Sequence, residues 1–327
     1  MLFDTVAMVD WSAAAVPKRG NDSIWIAIAG ACPKQLPRLT NPATRAEAMG
    51  LIGALLDWTG QNRHRLLIGF DFPIGYPAGS IAPLLPGAEP GWRALWSHLA
   101  SAIDDGAQNA NNRFEVAARM NARFAAEGPF WGRPPTRDVP GLPARKPPGY
   151  GVLLPAERRI VERQVPRAQP VWKLFTTGSV GSQALMGIAA LERLRQARQA
   201  RQDLVIWPFE TGLAVPAPSP GTTVIAEIYP GLIDAAVSAA LASTDGAQAG
   251  NAPPVKDAVQ VRLTAGALQA LDREGHLAPL FTGPTGEHAL TTEEVAMVVA
   301  EEAWILGVGH ERALSEAAIQ LAADPEP

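Results

Sequence analysis

The run "RLLIGFDFPIGYP", residues 65–77, decides the fold. Its first half is almost continuously apolar and offers no polar face to water. A strand of that kind is covered on both sides, as the inner strands of a parallel sheet are. The run then meets an acid, Asp71, and Pro73, Gly75 and Pro77 end it. Burying an unpaired carboxylate is costly. An acid at the lip of a buried strand therefore either reaches water or holds something.

The same pattern occurs twice more. "TVAMVDWSAA" (5–14) is a short apolar strand closing on Asp10, and "TTVIAEIYPG" (222–231) runs up to Glu227 with Pro230 behind it. Between the first two, "SIWIAIAG" (23–30) reads as a second strand, and a short third strand is expected near Leu36 to Leu39. Asn41 and Pro42 suit the cap and first position of a helix carrying Leu51, Leu55 and Trp58.

Farther along, "WRALWSHLASAI", "NRFEVAARMNARFAAEG" and Gln183 to Arg201 read as helices, while "VWKLF" (171–175) and "DLVIWPF" (203–209) read as strands. A helix beginning near Lys256 or Asp257 carries Val261, Ala265, Leu268 and Leu271. The last, "TTEEVAMVVAEEAWILGV", opens with a Thr-x-x-Glu capping signature at Thr291 and Glu294. The expected class is α/β: a mixed sheet with flanking helices and a long middle insertion. Its core spans residues 1–77 and 203–310, a helical and Pro/Arg-rich lobe fills 78–202, and 311–327 form a C-terminal tail.

Composition narrows the classes. In 327 residues, 47% are apolar, which supports a large core and excludes wholesale disorder. A net charge of −4 argues against a generally basic nucleic-acid coat but leaves local patches open. The one cysteine, Cys32, forms no internal disulfide and no cysteine cluster. The opening "MLFDTVAMVD" has no basic segment followed by an apolar one, and no apolar run reaches spanning length. A cytoplasmic protein with no membrane contact is expected.

Strand ends that are distant in sequence converge if the strands are neighbours. Asp10, Asp71 and Glu227 then meet, joined by Asp257 at a helix start. Several carboxylates in close contact repel, and one is forced to keep a proton unless a cation joins them. Hard oxygen ligands without cysteine or histidine suit Mg²⁺ or Mn²⁺. Paired ions of this kind serve in-line phosphoryl transfer, and RNase H-like nucleases do so on a strand–strand–strand–helix–strand core. Each acid alone also fits a plain structural role, facing a loop, pairing with arginine or, for Asp257, capping a helix. Alternation with Ile225 and Tyr229 could turn Glu227 away from the others. Glu301 and Glu302 compete for the helical position, and Glu47 more weakly.

Positive charge gathers in the insertion. Arg133, Arg137, Arg158 and Arg159 head a group that suits phosphate neutralisation, or equally a solvated surface. "TTGSVGSQ" (176–183) is a small-residue turn into a helix, and with Thr177 and Ser179 it suits a phosphate or simply a tight helix start. Ser12 and Lys18, behind the first acid, complete the candidate substrate contacts.

Taken together, "VDWSAA", "GFDFPIGYP", "VWKLFTTGSVGSQALMGI", "IWPFETG", "AEIYPG", "VKDAVQVRLTAGAL" and "EEAWILGV" resemble a bacterial family catalogued as a domain of unknown function (number 429). That family is regarded as RNase H-like nucleases. The resemblance spans Asp10 to Val308, with the strongest matches at 71–75 and 227–230. It implies an RNase H-like core and a metal-dependent nuclease activity carried by Asp10, Asp71, Glu227 and Asp257, with DNA or RNA as partner. The chain departs from many members in carrying Asp-Trp-Ser at its first motif and a longer insertion. Two other readings compete: an actin-like or sugar-kinase-type nucleotide-binding protein, and a catalytically inactive binding or accessory protein on the same fold.

Overall fold

The computed structural model describes residues 1–125, 127–165, 167–245 and 254–323. Six strands form one mixed sheet: β1 (Thr5–Asp10), β2 (Trp25–Gly30), β3 (Leu39–Thr40), β4 (Leu66–Phe70), β5 (Leu204–Ile206) and β6 (Thr223–Glu227). Their order across the sheet is β3-β2-β1-β4-β6-β5. β2 runs antiparallel to both β1 and β3, whereas β1, β4, β6 and β5 run parallel.

Ten helices accompany the strands among the described residues: α1 (Arg45–Asn62), α2 (Ile81–Leu84), α3 (Trp92–Ala102), α4 (Arg113–Asn121), α5 (Ile160–Gln164), α6 (Gly181–Ala197), α7 (Asp234–Asp245), α8 (Lys256–Arg273), α9 (Thr292–Met297) and α10 (Glu311–Ala323). None is long and apolar enough to cross a membrane.

Every residue of β4 is buried, as its unbroken apolar run requires, because both faces of the sheet are covered. On one face, Val9, Ile68 and Phe70 pack with Ile52 and Leu55 of α1, Trp96 of α3 and Ile188 of α6. The middle insertion thus shares the core of the sheet. On the other face, Met8, Leu67 and Ala226 pack with Val261 and Leu268 of α8. The segment expected as a tail folds through residue 323 as α10, with Leu314, Ala317 and Ala318 buried in this second layer; residues 324–327 lie outside the described residues.

Local chemistry shifts three expected boundaries. Helix α1 starts at Arg45 because Thr44 accepts the Glu47 N–H as its cap. Asn41 instead donates to the Ser23 hydroxyl and the Ile24 carbonyl, tying the β1–β2 connection to the sheet edge. "VWKLF" is a turn region that touches Trp131 through a single bridge, not a strand. The last expected helix keeps its capping box at Thr291 and Glu294 but widens into a π turn at Val298–Glu302 and stops at Ala303, whose φ is 60°. That break presses the Glu301–Glu302 backbone against Gly75, where an added Cβ would lie 2.3 Å from the Glu302 carbonyl oxygen. Only glycine fits there.

Candidate functional site

The parallel strands carry their acids to one edge. Val9 lies opposite Phe70, so Asp10 and Asp71 leave adjacent strands side by side. In open α/β sheets the carboxyl ends of parallel strands are where ligands are held. The two carboxyl groups are within hydrogen-bond reach of each other. Both are half-buried. The Trp11 N–H donates to Asp71 Oδ1 at 2.7 Å and fixes that carboxylate.

Burial, then the Asp71 charge and hydrogen bond, holds the Asp10 carboxyl well above the usual range. Burial also pushes Asp71 up, to about 7, against the lowering effect of its bonds from Asp10 and Trp11. Two unscreened carboxylates in contact cannot both ionise cheaply.

Asp257, in the first turn of α8, joins from the second layer. Its charge raises both Asp10 and Asp71, and burial raises its own carboxyl. The Asp22 N–H holds Asp257 Oδ2 at 2.7 Å, while the Asp22 carboxylate adds a further negative charge. Asp22 was legible only as part of a turn, and its backbone role has no sequence signature.

Glu227 belongs elsewhere. Its register partner is Phe70, not Asp71, so its side chain leaves the opposite face of the sheet. There Arg159 grips it through two bonds, Nη1 to Oε2 at 2.7 Å and Nη2 to Oε1 at 2.6 Å. The Ile74 N–H takes a further bond to Oε2. Arg159 also binds Glu162 Oε1 at 2.8 Å and the Glu302 carbonyl. The expectation that Glu227 shares the aspartate pocket is therefore corrected by strand register. Arg159, expected to grip substrate, is 1% exposed and fully engaged inside the protein.

The rivals are also committed. Glu302 accepts the Ala78 and Ile160 N–H groups, and Glu301 accepts that of Gly79. Glu47 serves the start of α1 through the Ala43 N–H.

The other expected contacts divide similarly. Ser12 lies two residues beyond Asp10; its hydroxyl accepts the Ala14 N–H and its carbonyl accepts buried Arg45. Lys18 approaches Asp22 at 3.5 Å and acts electrostatically on Asp257. Thr177 and Ser179 stand on the turn before α6, with Thr177 exposed. That helix reaches the site through Gln183, whose amide donates to the Trp11 carbonyl at 2.6 Å. Arg133 pairs with Asp138, Arg137 with Glu115, and Arg158 donates to the Ala168 carbonyl. Arg133 and Arg137 are thus paired with acids of the insertion, and Arg158 is engaged with a backbone carbonyl.

Among the described residues no three His, Cys, Asp or Glu side chains stand close enough to form a ready ligand group for a metal. Asp10 and Asp71 are hard oxygen donors, the type that Mg²⁺ accepts. Mg²⁺ keeps several waters and binds through one or two carboxylates, and Asp10 and Asp71 supply two. Compared with known proteins, the chain matches no family model, no curated protein and no solved structure.

Proposed function

We propose that the chain is a divalent-metal-dependent phosphodiester hydrolase, a nuclease on an RNase H-like core. The observation that carries this reading is the contact between Asp10 and Asp71 at the ends of adjacent parallel strands, with Asp257 approaching from α8. The strand order β3-β2-β1-β4, with β2 alone antiparallel to β1, supports the core.

Asp10 and Asp71 would hold Mg²⁺ or Mn²⁺, and the Asp257 charge would add to the attraction of the site for a cation. A bound ion would polarise a phosphate oxygen and make a water nucleophilic near neutral pH. The protein's own contribution is orientation. Trp11 N–H fixes Asp71, Gln183 fixes the Trp11 carbonyl, and Arg45 anchors the carbonyls of Ser12 and Ala14 behind Asp10.

The test is cleavage of a panel of DNA, RNA and hybrid oligonucleotides with Mg²⁺ or Mn²⁺. Asp10→Asn and Asp71→Asn each abolish cleavage while circular dichroism stays unchanged. Wild-type protein inert across the panel argues against this reading. Among the described residues no third carboxylate stands at ligand distance, which favours one alternative, a binding protein that has lost the chemistry. Under that alternative neither Mg²⁺ nor Mn²⁺ alters the protein's thermal stability.

A further inference from the structure

Away from the aspartates, a cleft of about 420 Å³ lies between the β2–β3 edge and α8. Its lining includes Arg38, Arg262 and Arg273, and no carboxylate lines it among the described residues. This sets it apart from the Arg133–Asp138 and Arg137–Glu115 pairs of the insertion. Arg262 and Arg273 project from α8 into solvent and make no hydrogen bond or ion pair among the described residues. Arg38 rests over the sheet edge, donating to the Gly30 carbonyl at 3.0 Å, which leaves the rest of its guanidinium free.

The lining between the arginines is made of small residues, Gly30, Gly266, Ala265 and Ala270. The Gln269 amide packs against Gly30 and closes the floor of the cleft there.

Geometry selects the class of ligand. Arg262 and Arg273 are eleven residues apart on one helix, about 16 Å of rise. Eleven residues also put the two on one face of the helix, so a ligand with several anionic groups in a row matches them. Arginine's planar fork matches phosphate oxygens in paired contacts. The row also begins five residues beyond Asp257 on the same helix, about 7.5 Å along its axis.

We infer that this cleft binds the sugar-phosphate backbone of a single-stranded nucleic acid, and that α8 leads that strand toward the aspartates. The inference rests on the nuclease reading for its direction, but binding is measured without cleavage. The assay uses fluorescent single-stranded DNA and RNA oligonucleotides in EDTA, over a range of salt, with the full chain. The variants are Arg262→Gln/Arg273→Gln, which breaks no bond of the fold, and the same pair with Arg38→Ala.

The triple variant is expected to bind at least tenfold more weakly. Each lost contact removes about 0.7 from the slope of log affinity against log salt for single strands, so the slope falls by about 2. The double variant loses about two-thirds of that. Unchanged affinity and slope in the double variant overturn the inference. Displacement by polyglutamate as effective as by unlabelled oligonucleotide also overturns it, because an acidic protein segment is then the occupant. Salt-dependent binding that is lost in the variants, together with no cleavage by the wild type, sinks the nuclease reading and leaves the cleft assigned.

Discussion

The Asp10 and Asp71 carboxyls meet across the gap between β1 and β4, and burial holds both above the ordinary carboxylate range. Two half-buried acids in contact are a local burden on the fold. Holding a cation is the simplest chemistry that relieves it.

The sign of that burden sets a pH prediction. The Asp71 carboxyl lies at about 7 when folded, against 3.8 for its ordinary value. The folded protein therefore keeps a proton that the unfolded chain releases. Stability from this group is fully present below about pH 4 and is lost as pH rises toward 7. Solvent screening of a half-exposed site reduces the effect to about 1–3 kcal/mol. Metal-free Asp71→Asn should match the wild type near pH 4 and exceed its melting temperature at pH 8. Parallel melting curves for the two proteins across that range would contradict the raised Asp71 carboxyl.

Glu227 should behave in the opposite way. Glu227→Gln leaves the Arg159 guanidinium buried with one carboxylate fewer. Breaking a buried pair from one side costs about 3–5 kcal/mol; the remaining Glu162 contact places the expected loss near the lower figure. Urea denaturation of this variant should show a clear drop in midpoint. An Asp10→Asn midpoint falling as far would erase the distinction between the two acids.

Glu302 ties the loop after Asp71 to the insertion by accepting the Ala78 and Ile160 N–H groups. In Glu302→Gln one of those N–H groups faces an amide NH₂ instead. The cost is about 1–3 kcal/mol. Amide exchange at Ala78 or Ile160 should accelerate while exchange in β4 stays slow. Uniform acceleration across the sheet would mean that the contact is part of global stability instead.

Asp257 is the acid that should matter for an ion and little for the fold. Its strong contact is with the Asp22 N–H, which an asparagine oxygen also satisfies. Asp257→Asn should change stability by less than about 1 kcal/mol and weaken Mg²⁺ binding, read by calorimetry, by about 10–100-fold. Undiminished Mg²⁺ affinity would remove Asp257 from the site.

Much of this arrangement was legible in the sequence. Apolar runs ending on Asp10 and Asp71 marked parallel neighbours, and Asp257 at a helix start was drawn to the same edge. Glu227 was harder because strand side chains alternate, and one residue of register moves a side chain to the other face. "AEIYPG" places Ile228 beside Asp71 and turns Glu227 toward Arg159. Charge counting also misled in the insertion. Arg133 and Arg137 look like a phosphate grip until Asp138 and Glu115 are seen beside them. Pairing across distant segments leaves no local pattern, and for the same reason the unpaired arginines of α8 passed without notice.

The most direct measurement is a crystal of the protein soaked in Mn²⁺, read by anomalous scattering. The account predicts a peak coordinated by Asp10 and Asp71, with Asp257 bound directly or through water. No peak at saturating Mn²⁺, or a peak only at other acids, would contradict it.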